Sequence, residues 1–281
     1  MSLNIPPSQN LIQTLVHRFS VFPQVEALGL GGSRISPTTD TYADIDLYVY
    51  TTSVIPLQNR AALVETFKPT RVDLDMQAWD LCDEWCDAKT GIEVDAIYWD
   101  THWIEEQLDR VLEKHQAGTG YTTCFWYTIR HSHILFDRNG WFHALKQKSD
   151  KSYPETLRRS IIAKNHPLLR RAIESYLHQI EKAIKRRDLV SINHRITGLF
   201  ASYFDIIFAL NHVLHPGEKR LVELANQRCP KIPKHMPHQV EHVLQAACRI
   251  DKTLIKKIEL LINSLDRLLT EEGFGPNGKH I

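Results

Sequence analysis

The feature that most constrains this chain is a change of hydrophobic rhythm near Ser152. Before it, short apolar runs rich in β-branched and aromatic residues alternate with helical stretches. After it, apolar residues recur three or four apart almost without interruption, as in Ile173, Leu177, Ile180 and Ile184. A period near 3.6 demands helices that bury a stripe against one another, whereas short runs bounded by Gly, Pro, Asn and Asp demand a sheet. The expected architecture is therefore α+β: a mixed sheet domain over residues 1–146, then an all-α helical bundle over 147–281.

In the first part, Ser8 ahead of Leu11, Leu15, Val16 and Phe19 predicts an N-capped helix ended by Pro23. Strands are predicted over 25–30, 45–50, 71–78, 93–98 and 132–136, and helices over 57–67 and 101–114. In the second part, helices are predicted over 153–187, 189–214, 218–228 and 240–269, with breaks at Pro216-Gly217 and across 230–237.

At 281 residues and 43% hydrophobic content the chain can bury sizeable cores, which excludes a disordered protein. No period of 20–50 residues recurs, which excludes a solenoid. The longest apolar stretch of the second half, 200–210, carries Asp205 and falls well below the roughly 18 residues of a membrane span. The first ten residues show neither a basic nor an apolar signal region, so a cytoplasmic location is expected. Five cysteines, an odd number, fit reduced core thiols. The net charge of +1 conceals an asymmetry: residues 1–146 carry 11 Lys+Arg against 19 Asp+Glu, a balance of −8, and the remainder carries +9. Such a division suits an acidic, metal-binding part and a basic, anion-facing part, and equally suits two parts that dock by charge.

The chemistry concentrates in Gly31-Gly32-Ser33, a ten-residue spacer, and Asp44-Ile45-Asp46-Leu47. Alternate side chains of a strand share a face, so Asp44 and Asp46 point one way while Ile45 and Leu47 anchor the other side. Two like charges held together raise one pKa, and a divalent cation resolves the conflict. Carboxylate oxygens suit Mg²⁺, which completes its shell with water and substrate phosphates. Glycines let backbone approach a phosphate, and the Ser33 hydroxyl can donate to it.

With these residues the sequence resembles the nucleotidyltransferase superfamily, whose fold is shared by DNA polymerase beta and the kanamycin and lincosamide nucleotidyltransferases. That superfamily carries a Gly-Ser turn, a similar spacer, an Asp-x-Asp strand with apolar flanks, and a third carboxylate on a later strand. Here the third is Asp95 in Val94-Asp95-Ala96, with Asp73 and Asp75 as rivals on an earlier strand. The resemblance is clear over residues 25–100; residues 134–137 look like the superfamily's last strand. In the bundle, 208–211 and 216–220 resemble the helical domain of bacterial relatives of the antibiotic-modifying enzymes.

The resemblance implies Mg²⁺-dependent transfer of a nucleoside monophosphate from an NTP to an acceptor hydroxyl, releasing pyrophosphate. Two Mg²⁺ ions would be held by Asp44, Asp46 and Asp95, with Asp95 also able to take the hydroxyl proton. Gly31, Gly32 and Ser33 would cradle the phosphates, Arg34 would add a cation, and Lys219 would contact nucleotide from the bundle, the part expected to cover the substrate. A small molecule such as an antibiotic or sugar is the favoured acceptor, ahead of a protein or RNA. The competing class is a non-catalytic module that senses nucleotide.

Other clusters read as structural or solvated. His131 and His133 are expected on one strand face, and His235, His238 and His242 gather near a helix start without the tight four-ligand spacing of zinc. Cys82 and Cys86 have no partner motif. The basic run 182–187, and Arg158, Arg159, Lys164, Arg170 and Arg171, read as surface charge.

Overall fold

A computed structural model of the chain describes residues 7–32, 44–77, 80–248 and 253–274. Six strands form one mixed sheet: β1 Val25–Leu30, β2 Ile45–Thr51, β3 Arg71–Met76, β4 Cys82–Cys86, β5 Glu93–Asp100 and β6 His133–Asp137. Their order is β3-β4-β5-β2-β1-β6. The β2 and β5 strands run parallel, and every other neighbouring pair is antiparallel. The α+β class expected from the sequence is the class observed.

Contacts divide the chain into two units: Met1–Asp109 with Thr128–Lys151, and Arg110–Tyr127 with Ser152–Ile281. The sheet unit is built by alternation. Ile45, Leu47 and Val49 of β2, Val94, Ala96 and Tyr98 of β5, and Trp85 of β4 all turn to one face. There they pack with Leu11, Leu15 and Phe19 of α1 (Pro7–Phe19) and Leu63 and Val64 of α2 (Leu57–Glu65). Ser8 lies inside the first turn of α1 and is not its cap. Beneath this face runs a buried ionic network. Arg60, 2% exposed, donates to Asp83 at 2.5 Å and Asp75 at 2.8 Å, and Asp83 also accepts from the Tyr98 hydroxyl at 2.8 Å.

On the opposite face, Tyr50 meets Trp141 and Phe142 of α5 (Trp141–Ser149), with ring centroids at 5.2 and 4.6 Å. Trp99 stacks on Tyr48 at 4.6 Å and meets Trp103 of α3 (Thr101–Leu112) at 5.9 Å. The α4 helix (Cys124–His131) stops where Lys146 donates to three carbonyls, those of Ile129, Arg130 and Ser132. An ammonium at a helix C-terminus satisfies carbonyls that have no helical partner. His131 therefore ends a helix while His133 starts β6, so the two do not share a strand face.

The helical unit contains α6 (Glu155–Arg170), α7 (Tyr176–Arg186), α8 (Leu189–Leu210), α9 (Leu221–Arg228), α10 (Met236–Ala247) and α11 (Thr253–Glu271) around one core that α8 dominates. The single helix expected over 153–187 is two. Pro167 lacks the N–H that would bond back one turn, α6 ends three residues later, and the Ser175 side chain caps α7 by accepting from the His178 N–H. The helix expected over 240–269 is also two, and α10 starts earlier, at Met236, because Pro237 sits in its first turn where no N–H is needed.

The loop before α4 belongs with the helices. Gly120 N–H donates to Asn165 Oδ1 at 3.1 Å, while Thr122 donates to Asp205 through its N–H at 3.0 Å and its hydroxyl at 2.6 Å. Asp205 is 1% exposed, and burial pushes its carboxyl up to about 7 despite these bonds. Of the five cysteines only Cys229 is buried; Cys248 is exposed and the other three are half-buried, and all are free thiols. No described helix is long and apolar enough to cross a membrane.

Candidate active site

The alternation that builds the core also builds the site. With Ile45 and Leu47 buried, Asp46 and Tyr48 face the other side. With Val94 and Ala96 buried, so do Glu93, Asp95 and Ile97. With Asp83 and Trp85 buried, Glu84 joins them. Register then aligns the acids laterally: Asp46 opposes Asp95, Asp95 opposes Glu84, and Glu84 opposes Asp73. Adjacent strands lie about 4.8 Å apart, so Asp95 is one spacing from Asp46 and Asp73 is three, about 14 Å away. Asp75 sits at a bulge with φ +58° and is bound by Arg60. Of the three candidates for a third carboxylate, Asp95 is the one that the fold brings beside Asp46. Asp44 immediately precedes β2 and is exposed.

Electrostatics mark Asp95. Burial first, then the charges of Glu84, Asp46, Asp44 and Glu93, push its carboxyl from 3.8 up to about 7. Burial first, then the charges of Glu84, Asp95, Asp83 and Asp80, push the Cys82 thiol, on the same face of β4, up to about 11. Glu84, Glu93 and Asp95 each bring an oxygen within 4.8 Å of the others, a spacing that one cation can bridge.

The glycines complete the geometry. Gly31 N–H donates to the Asp46 carbonyl at 2.9 Å, continuing the β1–β2 ladder past Leu30. A Cβ on Gly31 would fall 2.3 Å from the Tyr48 ring, so glycine lets that ring lie over the backbone. Gly32 has φ +67°, and a Cβ there would fall 1.6 Å from Asp46 Oδ2. The carboxylate occupies the space that any side chain at 32 would fill. Because its N–H is used in the ladder, Gly31 shapes the site without donating to a phosphate. Ser33 and Arg34 lie outside the described residues. Lys219 is on an exposed turn of the helical unit.

Glu84 and Glu93 were not anticipated as site residues. Residues 82–86 read as Cys-Asp-Glu-Trp-Cys, too polar for a strand of its own, and only pairing with β5 shows which acid faces out. Glu93 opens β5, and its charge there was legible, but its proximity to Glu84 was not.

A family model described as Domain of unknown function (DUF4037) matches residues 126–221, from α4 to the first residue of α9. Among solved structures, the chain is similar to a nucleotidyltransferase-like protein from Exiguobacterium sibiricum 255-15. The identity is 14% and the TM-score 0.42, over 94% of this chain and 74% of that one. It is also similar to the STING-associated CdnE c-di-GMP synthase from Capnocytophaga granulosa, at 12% identity and TM-score 0.29, over 94% of this chain and 80% of that one. No curated protein matches the chain.

Proposed function

We propose that the chain is a metal-dependent nucleotidyltransferase that moves a nucleoside monophosphate from an NTP to the hydroxyl of a small acceptor. The observation that carries this reading is the lateral register of Asp46 and Asp95 on parallel strands, with Gly32 pressed against the Asp46 carboxylate. Acids gathered on one face of the sheet, beside a glycine turn, fit hard divalent ions that also bind phosphate oxygens. Asp44, Asp46 and Asp95 would hold two Mg²⁺, and Glu84 stands within reach of the Asp95 side. Bound there, Mg²⁺ offsets triphosphate charge and acidifies the acceptor hydroxyl.

The chain's own contribution is position and proton handling. The β1–β2 ladder holds the glycine turn beside the acids. Asp95, raised toward neutrality in the metal-free chain, would be kept ionised by a bound cation and could then accept the hydroxyl proton. Pyrophosphate would be the leaving group, its charge offset by an ion held by Asp44 and Asp46. Lys219 is retained as a nucleotide contact on the sequence resemblance alone.

The test is thermal unfolding with ATP, GTP, CTP and UTP, with and without Mg²⁺, followed by pyrophosphate release with candidate acceptors. A Mg²⁺-dependent rise with one nucleotide, absent in Asp46→Asn, supports the reading. A rise that survives in Asp46→Asn, or no rise at millimolar nucleotide, overturns it. A rise that also survives in Asp95→Asn, without turnover by the wild type, points to a nucleotide sensor.

A further inference from the structure

We propose that the helical unit carries a second binding site, for an organic phosphate of roughly mononucleotide size, in the groove between α10 and α11. The groove encloses about 730 Å³, within the range of roughly 300–1,000 Å³ that small-molecule sites occupy. Its apolar walls come from Ile232, Pro233, Leu260 and Leu268. Its polar lining is mostly basic. Lys234, His235, His238, His242 and Arg267 line it against a single carboxylate, Glu271. The periodicity explains the arrangement: His238 and His242 lie four apart on α10, and Ser264, Arg267 and Glu271 recur three or four apart on α11.

Three observations point to a ligand. First, these basic side chains make no hydrogen bond or ion pair among the described residues, whereas neighbouring bases are engaged. Lys231 pairs with Glu272 at 2.5 Å, and His166 and Arg170 both bind Asp266. Lys234 and Arg267 without a carboxylate partner among the described residues, beside three imidazoles at a concave surface, fit an anion that can accept from all of them. Second, Gln239 in the groove floor is 9% exposed. Its Nε2 donates to Ser264 Oγ at 2.9 Å and its Oε1 has no partner. Buried polar atoms are nearly always satisfied, so the unused acceptor of a residue that lines the groove suits a ligand bearing an N–H or O–H donor as well as an anion. Third, the apolar walls would strip water from an organic body and gain nothing from a bare ion.

The three histidines raise the alternative of a metal. Among the described residues, the one group of metal-type ligand atoms gathered within 4.8 Å is Glu84, Glu93 and Asp95, so the imidazoles are spaced for separate contacts to a larger anion. The groove lies wholly in the helical unit and is independent of the proposed transfer reaction.

The experiment is titration calorimetry of the full chain carrying Asp46→Asn, in EDTA, which removes the Mg²⁺-dependent site from the readout. The probes are AMP, GMP, inorganic phosphate and pyrophosphate. A mononucleotide should bind with a Kd at or below about 1 mM, and inorganic phosphate at least about tenfold more weakly. Lys234→Gln with Arg267→Gln should weaken the mononucleotide about tenfold or more, and Glu271→Gln should tighten it about two- to fivefold. All three residues are exposed, so unfolding midpoints should not move. Should the first pair shift the midpoint, His238→Gln with His242→Gln gives the same reading. Absence of binding at about 10 mM of every probe, equal affinity for phosphate and mononucleotide, or affinity indifferent to both pairs would overturn the proposal.

Discussion

Replacing Asp95 by Asn tests the electrostatics of the carboxylate row without removing an atom. Its carboxyl is pushed from 3.8 to about 7, by burial and then by Glu84, Asp46, Asp44 and Glu93. Three units at about 1.36 kcal/mol each give a ceiling near 4 kcal/mol. Asp95 is only half-buried, and solvent screening roughly halves that figure, to about 2 kcal/mol. The sign follows from linkage. With the folded pKa above the unfolded one, folding takes up a proton, so the favourable contribution is complete below about pH 4 and lost as pH rises through about 7.

Asn carries no such penalty. The metal-free variant should match the wild type near pH 4, gain less than half the effect at pH 5, and be about 2 kcal/mol more stable at pH 8. For a unit of this size that is about 4–8 °C. The assay is thermal unfolding in EDTA from pH 4 to 8, repeated with millimolar Mg²⁺. In Mg²⁺ the wild type should recover stability and the variant should not, because the cation relieves the repulsion only where the carboxylate remains. A variant less stable than the wild type by the same margin at pH 5 and pH 8 would refute the reasoning, since Asp95 would then be making a favourable structural bond.

Gly32→Ala sets a Cβ on the Asp46 carboxylate at a backbone angle costing about 1 kcal/mol; the chain should still fold, and the Mg²⁺-dependent nucleotide shift should weaken at least about tenfold in a titrated unfolding assay. Arg60→Met leaves Asp83 buried and charged without its cation, and denaturant unfolding should show a loss of about 3–5 kcal/mol in the sheet unit. Asp205→Ala strands the Thr122 N–H, the Thr122 hydroxyl and an Asn165 N–H; at about 1–3 kcal/mol each, partly regained from water, unfolding should report a loss of about 3 kcal/mol or more.

The fold class was legible because periodicity is a local property. Alternation around Ile45 and Leu47 and the three-to-four spacing of Leu177, Ile180 and Ile184 specify which face is buried before any partner is known, whereas Ile173, read with that run, lies exposed in the turn between α6 and α7. Asp46 facing away from the core followed from its apolar neighbours alone. The glycine turn followed from residue type, since a positive φ so close to a carboxylate admits little else. The missed elements share a different cause. Residues 82–86 carry two acids in five positions, and their strand exists because β5 supplies the ladder on one side and β3 on the other.

The choice among Asp73, Asp75 and Asp95 was of the same kind. All three sit between apolar neighbours in the sequence, and nothing local separates them. The sheet order separates them, by placing β5 against β2 and β3 at the far edge, while a bulge turns Asp75 to Arg60. Likewise the sequence gathered His235, His238 and His242 near a helix start, but only packing of α10 on α11 made a groove there with Arg267 on its other wall. The sequence by itself determined which faces of most elements are buried and which carry charge, because those depend on neighbours along the chain. Tertiary structure alone decided which charges meet, because that depends on strand order, register and helix pairing between residues distant in sequence.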